Sequence, residues 1–326
     1  MADQTASSVL FLHALTGVHP GAGQALGDID LPVQRERHTG WPTIPGSTLK
    51  GILRDACAPP GKRDDEGYGD NPQYRKWTAV FGPEPPRGAQ TEGVKAPADT
   101  ADKRPQPSDF GGALSVSDAR ILAFPVRSLK GVFAWVTCPA ALERFKRDLG
   151  LAGAQPPWSS PVVADAKALF GEKLELNGKM VLEEFDFENA GAPDTKLTGA
   201  LTQALEDQPT AERLRTHLAI VDDSRFTHLV KYATEVVQRI SLNYETKTVA
   251  SGALFSIEFL PPETIMYALL FAAPSRDKNL ALPPGQVLNS VTAVLHDRPI
   301  VQVGGDETIG KGLCALKLLN GKAGAQ

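Results

Sequence analysis

Two aspartates two positions apart, Asp28 and Asp30, lie in the Gly-rich run GAGQALGDIDLP, with His19 upstream and the basic cluster Gln34-Arg35-Glu36-Arg37-His38 immediately downstream. A carboxylate beside a phosphodiester is repelled unless a proton or a divalent cation intervenes. Acids inside a basic segment therefore suit acid/base or metal-assisted chemistry on a phosphate. On a strand the two acids share a face, in a loop they need not, and loop aspartates also serve simply to cap turns. His19 and His38 are candidate proton carriers or phosphate contacts.

The next residues, PGSTLKGILR, read as the start of a helix with Ser47 or Thr48 as N-cap and Leu49, Ile52, Leu53 and Ala56 at helical spacing. Gly46 permits close approach, the free amides of the helix start can meet a phosphate, and Lys50 and Arg54 add charge. An ordinary capped surface helix has the same pattern. Near the other end, GDETIGKG from Gly305 to Gly312 fits the phosphate-loop pattern G-x-x-x-x-G-K-[ST] except at its last position. That loop needs a hydroxyl for magnesium and a helix behind it, whereas here Gly312 has no hydroxyl and a strand-like segment follows. A nucleotide hydrolase is disfavoured; a Gly-rich loop offering amides and Lys311 to a phosphodiester, or a plain tight turn, remains.

These residues need a frame to hold them. The chain has 326 residues, 42% hydrophobic and 22% charged, a balance that supports a sizeable core and argues against wholesale disorder. Its apolar runs, such as MYALLFAAP from Met266, are too short to span a bilayer. The N-terminus lacks a basic n-region before an apolar stretch, so a soluble, cytoplasmic protein is expected. Cys57, Cys138 and Cys314 stand far apart without a C-x-x-C pair, which argues against a disulfide framework or a cysteine zinc site. The net charge of -4 conceals segregation. Six Lys/Arg face one Glu from Arg120 to Arg147, and thirteen acids face six Lys/Arg from Val163 to Asp223. One face is therefore expected to be basic, with the acidic middle turned elsewhere.

A buried strand is expected over Val9 to Thr16, then the helix from about Thr48. Residues 60–112 shift to Pro, Gly, Asp and Lys, with Trp77, Val80 and Phe81 as an isolated apolar island, and read as a mobile insertion. Strand patterns follow in LSVSDARILAF and GVFAWVTCP. Pro139 opens the helix AALERFKRDL, and a strand lies near KMVLEEFDFE. Helical patterns fall at Leu201 to Leu205, Phe226 to Tyr232 and Val287 to Leu295. Residues 235–262 read as a long hairpin that either projects or joins a sheet. Irregular alternation of strands and helices suits an α+β fold.

The runs HPGAGQALGDIDLPVQRERHTGWPTIPGSTLKGILR, SVSDARILAFPVRSLKGVFAWVTCP and VGGDETIGKG, in this order, closely resemble the repeated backbone subunit of type III-B CRISPR effector complexes, the fourth-subunit family of the Cmr module in the RAMP superfamily. The resemblance runs from first strand to last, apart from the stretch Asp64 to Asp109. It implies a single RAMP domain over residues 1–326: an RRM-like (ferredoxin-like) core with insertions and a projecting β-hairpin thumb near Tyr244. Copies would stack along a CRISPR RNA, each thumb displacing a nucleotide of the guide–target duplex, with target RNA cut at those interruptions. Carried over by position, the catalytic aspartate falls on Asp30, in the loop before Pro32, and His19 matches a histidine near the cut, with Glu258 near the thumb base as a further candidate. Lys50, Gly304, Gly305 and Lys311 match guide contacts. Arg37, His38, Ser47, Thr48, Arg54, Arg127 and Lys130 are candidate RNA contacts from the basic segments. Asp30 would either bind a divalent cation, Mg²⁺ for preference, or take the 2′-OH proton. The implied partners are CRISPR RNA, single-stranded target RNA, further copies of the chain and other Cmr subunits, with no membrane. The competing expectation is a guide-binding scaffold that does not cut.

Overall fold

A computed structural model describes residues 5–24, 27–61, 71–83, 109–156, 158–243, 245–249 and 254–320. The elements in chain order begin with β1 (Ala6–Ala14), β2 (Thr43–Ile44), α1 (Gly46–Ala56), α2 (Pro72–Phe81), β3 (Leu114–Val116), β4 (Ala119–Arg127), β5 (Phe133–Thr137) and α3 (Pro139–Leu151). Next come β6 (Lys167–Phe170), β7 (Lys179–Leu182), β8 (Phe185–Asn189), α4 (Thr195–Thr202), α5 (Gln208–His217), β9 (Leu218–Val221) and α6 (Asp223–Tyr232). The chain closes with β10 (Glu235–Arg239), β11 (Phe255–Phe259), β12 (Ile265–Ala272), α7 (Pro284–Asp297), β13 (Ile300–Gln302) and β14 (Leu313–Asn320). The fold is α+β, as expected.

One large mixed sheet runs in the order β13-β14-β1-β12-β4-β5-β9-β6-β8-β7, with β2 on β4 and β3 on β12, while β10 and β11 pair only with each other as a separate ribbon. The four strands β14, β1, β12 and β4 are antiparallel neighbours. Strand β1 is buried from end to end because alternate side chains enter two different cores. Leu10 and Leu12 pack with Leu49 and Leu53 of α1 and Val287 and Val291 of α7. Val9 and Phe11 pack on the other face with Leu142, Phe145 and Leu149 of α3, and with Leu197 and Leu201 of α4. Both faces of the central strands are thus covered by helices. Among the described residues, these central strands therefore leave little side-chain surface open, and the loops at the strand ends are the more accessible part of the sheet.

Two expectations from sequence need correction. Within the 60–112 stretch, Pro72–Phe81 forms the ordered helix α2. Asn71 caps it by accepting from Gln73 N at 2.9 Å and Pro72 sits in its first turn. Trp77, Val80 and Phe81 are not an island: they face the same core as α1, and Trp77 Nε1 donates to the Arg54 carbonyl at 2.8 Å. Residues 62–70 and 84–108 of that stretch lie outside the described residues. The segregation of charge, in turn, does not survive folding. Arg127 pairs with Glu183 at 2.8 Å, Arg144 with Glu36 at 2.6 Å, and Arg120 with the buried Asp148, which also meets Arg147. Lys130 Nζ donates to the carbonyls of Glu172 and Glu175. The acidic middle folds back against the basic segment.

Candidate active site

Strand β11 is the spine of the site. One edge pairs with β10, and the other carries the segment after Asp30: Leu31 N donates to Ser256 O and Glu258 N donates to Leu31 O, both at 3.0 Å. Farther along, Val18 and Leu260 exchange backbone bonds at 2.9 and 2.8 Å. The Gly-rich loop is therefore pinned at both ends to a strand more than two hundred positions away.

Asp30 is exposed but held in place. Its Oδ2 accepts from Ser256 N at 2.8 Å and Ser256 Oγ at 2.9 Å, while Asp30 N donates to the same Oγ at 2.9 Å. The Ser256 amide and then its hydroxyl keep the carboxyl below the usual carboxylate range. Among the described residues nothing bonds Oδ1, which is left for an incoming group. Asp28 is also exposed, and no hydrogen bond or ion pair fixes it among the described residues. Of the two acids, only Asp30 has a defined direction.

His19 Nδ1 lies 2.7 Å from the carbonyl oxygen of Glu258. A carbonyl only accepts, so Nδ1 carries the proton and Nε2 is the acceptor in the neutral ring. The ring lies against Gly21, where a Cβ would fall 2.8 Å from Nε2. The His19 carbonyl in turn receives Gly305 N at 3.1 Å. At Gly304, with φ +83°, a Cβ would stand 2.2 Å from that carbonyl oxygen, so only glycine fits. Phe259 gathers the rest: the His19 ring stands edge-on at 5.7 Å, Lys311 Nζ is 4.9 Å from its centre, and the Arg239 guanidinium 5.9 Å. Arg239 also meets Asp306 at 3.2 Å, tying the ribbon to the glycine loop. Asp30 and His19 are anchored two residues apart on β11, about 7 Å at the rise of an extended strand.

Glu258, expected near the cut, is buried. Its side chain is 2% exposed and both oxygens are taken. Oε1 accepts from Arg35 Nη2 at 2.5 Å and Thr234 Oγ1 at 2.8 Å, and Oε2 from Val33 N at 2.9 Å. It is a brace for the Val33–Arg35 segment, and its carbonyl aims His19.

The expected RNA contacts divide. Arg37 and His38 are exposed, unlike Arg35 and Glu36 of the same cluster, which are committed to internal bonds. Helix α1 begins at Gly46 with Pro45 as N-cap, so neither Ser47 nor Thr48 caps it. Gly46 N donates to Asp118 Oδ1 at 2.7 Å, and one amide expected for an anion is already used by the protein's own carboxylate. Ser47 is exposed and Thr48 half-buried. Lys50 lies below the usual lysine range, through burial first and then through Arg54 and Arg276 nearby. Three cations thus converge there, although the Arg54 guanidinium also stacks on Trp77 at 4.4 Å. In the glycine loop, the amides of Gly305, Ile309, Gly310, Lys311 and Gly312 all donate within the protein. Five of the loop's amides are thus used internally, and β14 follows the loop directly. Arg127 and Lys130 are engaged away from this cluster. Ser256, Arg239 and Arg276 stand beside the expected residues although no local pattern pointed to them, and Arg35 of the basic cluster is turned inward onto Glu258.

No group of three or more His, Cys, Asp or Glu capable of enclosing a metal occurs among the described residues, and none of their helices is long and apolar enough to cross a membrane. The donor set fits Mg²⁺ only in its usual nucleic-acid mode, one carboxylate oxygen from the protein with phosphate and water completing the shell.

A sheet covered by helices, a glycine loop locked onto a histidine and a separate two-stranded ribbon frame the site. The RAMP superfamily pattern matches residues 11–315, and the chain belongs to that superfamily. It is 38% identical over 313 residues, 94% of each chain, to the CRISPR system Cmr endoribonuclease Cmr4 of Pyrococcus furiosus. The crystal structure of oligomeric Cmr4 from the same organism aligns with a TM-score of 0.66 at 31% identity, covering 97% of this chain and 98% of that one. A chain of the type III-B Cmr-β complex bound to cognate target RNA aligns at 0.67 over 96% of each; at 21% identity this likeness is one of fold.

Proposed function

We propose that this chain is a CRISPR RNA-binding filament subunit of a type III-B effector complex, and that it cuts guide-paired target RNA at regular intervals. The observation that carries the reading is the pinning of an exposed carboxylate, Asp30, and an oriented imidazole, His19, to the same strand at the base of a ribbon. A passive scaffold has no need to aim either. Strands β1, β4, β12 and β14, with α1 and α7 in the crossovers, follow the order βαββαβ with the fourth strand beside the first. This supports an RRM-like, ferredoxin-like core. The β10–β11 ribbon is read as the thumb; its tip at Tyr244 lies outside the described residues. Further copies of the chain and the other Cmr subunits are the proposed partners, in the cytoplasm.

Cleavage by a neighbouring hydroxyl needs the 2′-oxygen in line with phosphorus, a geometry that stacked A-form duplex forbids and a displaced nucleotide allows. The two anchored side chains suit different tasks. A base works best with a pKa near the working pH, and Asp30 is held below even the ordinary carboxylate range. Asp30 is therefore the poorer base and the better holder of a cation through Oδ1. A bound Mg²⁺ would supply charge neutralisation at the phosphodiester. His19 Nε2, the free acceptor, takes the 2′-OH proton as the oxygen attacks phosphorus. The P–O5′ bond breaks and the departing 5′-oxygen takes a proton from water, leaving a 2′,3′-cyclic phosphate and a 5′-hydroxyl, while His19 returns its proton to solvent. Lys311 and Arg239, gathered on Phe259, balance the backbone charge.

The test is reconstitution on a guide RNA with the partner subunits. Complementary target should be cut into a ladder of constant increment, with cyclic phosphate ends. Intact target in a fully assembled complex would leave only the scaffold. Lys50 supplies a second expectation. With Arg54 and Arg276 beside it, an arriving phosphate relieves like-charge crowding. Lys50→Ala should weaken guide binding and reduce the slope of log K against log salt by about one contact. An unaltered slope in a salt titration removes Lys50 from the guide site.

A further inference from the structure

Beside the base of the ribbon, α6 carries Arg225, His228 and Tyr232 at spacings that a helix places along one side. Tyr232 is 74% exposed. Its ring leans on His228 with centroids 4.6 Å apart, and His228 stands edge-on to Phe185 of β8 at 4.9 Å. The Arg225 guanidinium covers Phe185 at 4.5 Å. Tyr232 and His228 line a cleft of about 360 Å³ together with Arg127, Glu184 and Thr234, toward the small end of ligand clefts generally.

An aromatic ladder with one ring open to solvent and cations around it has the chemistry of a base-stacking platform. The acids of the cleft do not oppose this. Glu183 is paired with Arg127, and Glu184 accepts from or ion-pairs with His228 Nε2 at 2.9 Å. The cleft also shares a wall with the candidate active site, since Thr234 Oγ1 donates to Glu258 Oε1 at 2.8 Å and the Glu258 carbonyl holds His19. Polar walls and paired charges favour a heterocycle over a greasy protein segment. We infer that Tyr232 and His228 form a stacking step for one nucleobase of the target RNA, the base displaced at the ribbon. The inference rests on the RNA-cutting reading above. It adds a place for the displaced base, whose capture would hold the cut site open.

The test uses the full complex on guide RNA, with targets carrying 2-aminopurine at successive positions and a 2′-deoxy sugar at the cut site to keep the strand whole. Stacking quenches 2-aminopurine. With the native chain one displaced position should be quenched, and Tyr232→Ala should lose that quenching while Tyr232→Phe retains it. Target release should become roughly 5-fold faster in the alanine variant, the lower range for one stacked base. Equal fluorescence in native and Ala complexes at every position overturns the inference. So does a Tyr232→Ala defect confined to filament length in sedimentation, which would assign the surface to contacts between copies. The cutting reading is judged separately, on unmodified target: a native complex that binds but does not cut defeats that reading, whatever the fluorescence shows.

Discussion

Asp30→Asn is expected to leave target binding intact and to slow cleavage by about 10²–10⁴-fold, the range for losing a positioned catalytic group. Asparagine is the informative substitution because its carbonyl oxygen can still accept from Ser256 N and Oγ, which Asp30 Oδ2 does at 2.8 and 2.9 Å. The loop stays tied to β11 and only the charge is lost. Asp30→Ala removes the tie as well, so it should be at least as slow and should also loosen the loop ahead of Leu31. Asp28→Ala, touching nothing that fixes the side chain, should cut at close to the native rate. The measurement is single-turnover cleavage on saturating target, with binding followed in parallel. Native rates from Asp30→Asn would take the carboxylate out of the mechanism. The pH dependence has a definite sign. The folded pKa of Asp30 is depressed, so its charge and its Ser256 contacts are complete above the unfolded value of about 3.9 and are lost only as pH falls through the lower folded value. A limb in the rate profile between pH 5 and 8 therefore belongs to another group.

Much of the candidate site is visible in sequence because Asp30 and Lys50, the residues proposed to act, lie in one short stretch. Asp30 sits in a loop before proline, and Lys50 in the first turns of a patterned helix. What holds them is not visible. Ser256 lies 226 positions from Asp30 and Arg144 lies 108 from Glu36, and a folded-back pairing leaves no periodic trace. The same distance explains three differences between the sequence pattern and the folded surroundings. Ser47 or Thr48 reads as an N-cap because nothing local shows that Asp118 will reach Gly46. A basic face is inferred from charge blocks, although Arg120, Arg127, Arg144 and Arg147 meet Asp148, Glu183 and Glu36 on folding. Glu258, as an acid near the ribbon, looks like chemistry until Val33, Arg35 and Thr234 are seen around it. Helix α2 is the contrary case: Asn71-Pro72 and the spacing of Trp77, Val80 and Phe81 are local signals, outweighed by the composition on either side. The α+β class was legible from the alternation of elements; the covering of both sheet faces, which leaves the loops the more accessible part, follows only from tertiary packing.

Glu258 gives the second large effect, and here stability should move before chemistry does. Glu258→Ala would strip the partner from Arg35, whose side chain is itself mostly buried, and leave Val33 N and Thr234 Oγ1 without their acceptor. Breaking a buried ion pair from one side typically costs about 3–5 kcal/mol. Glu258→Gln keeps one carbonyl oxygen for Arg35 and Thr234 but turns an amide N–H toward Val33 N–H, donor against donor, for roughly 1–3 kcal/mol. Urea unfolding of the purified subunit should rank native above Gln above Ala. Cleavage by assembled complexes should fall in the same order, because displacement of β11 carries the Glu258 carbonyl and with it the direction of His19. Cooling should recover part of the glutamine variant's activity, since its reacting groups are all present. A catalytic acid would behave in the opposite way: Gln would unfold like the native protein and yet fail to cut at any temperature. That result would return Glu258 to the chemistry and leave the aim of His19 to the backbone alone.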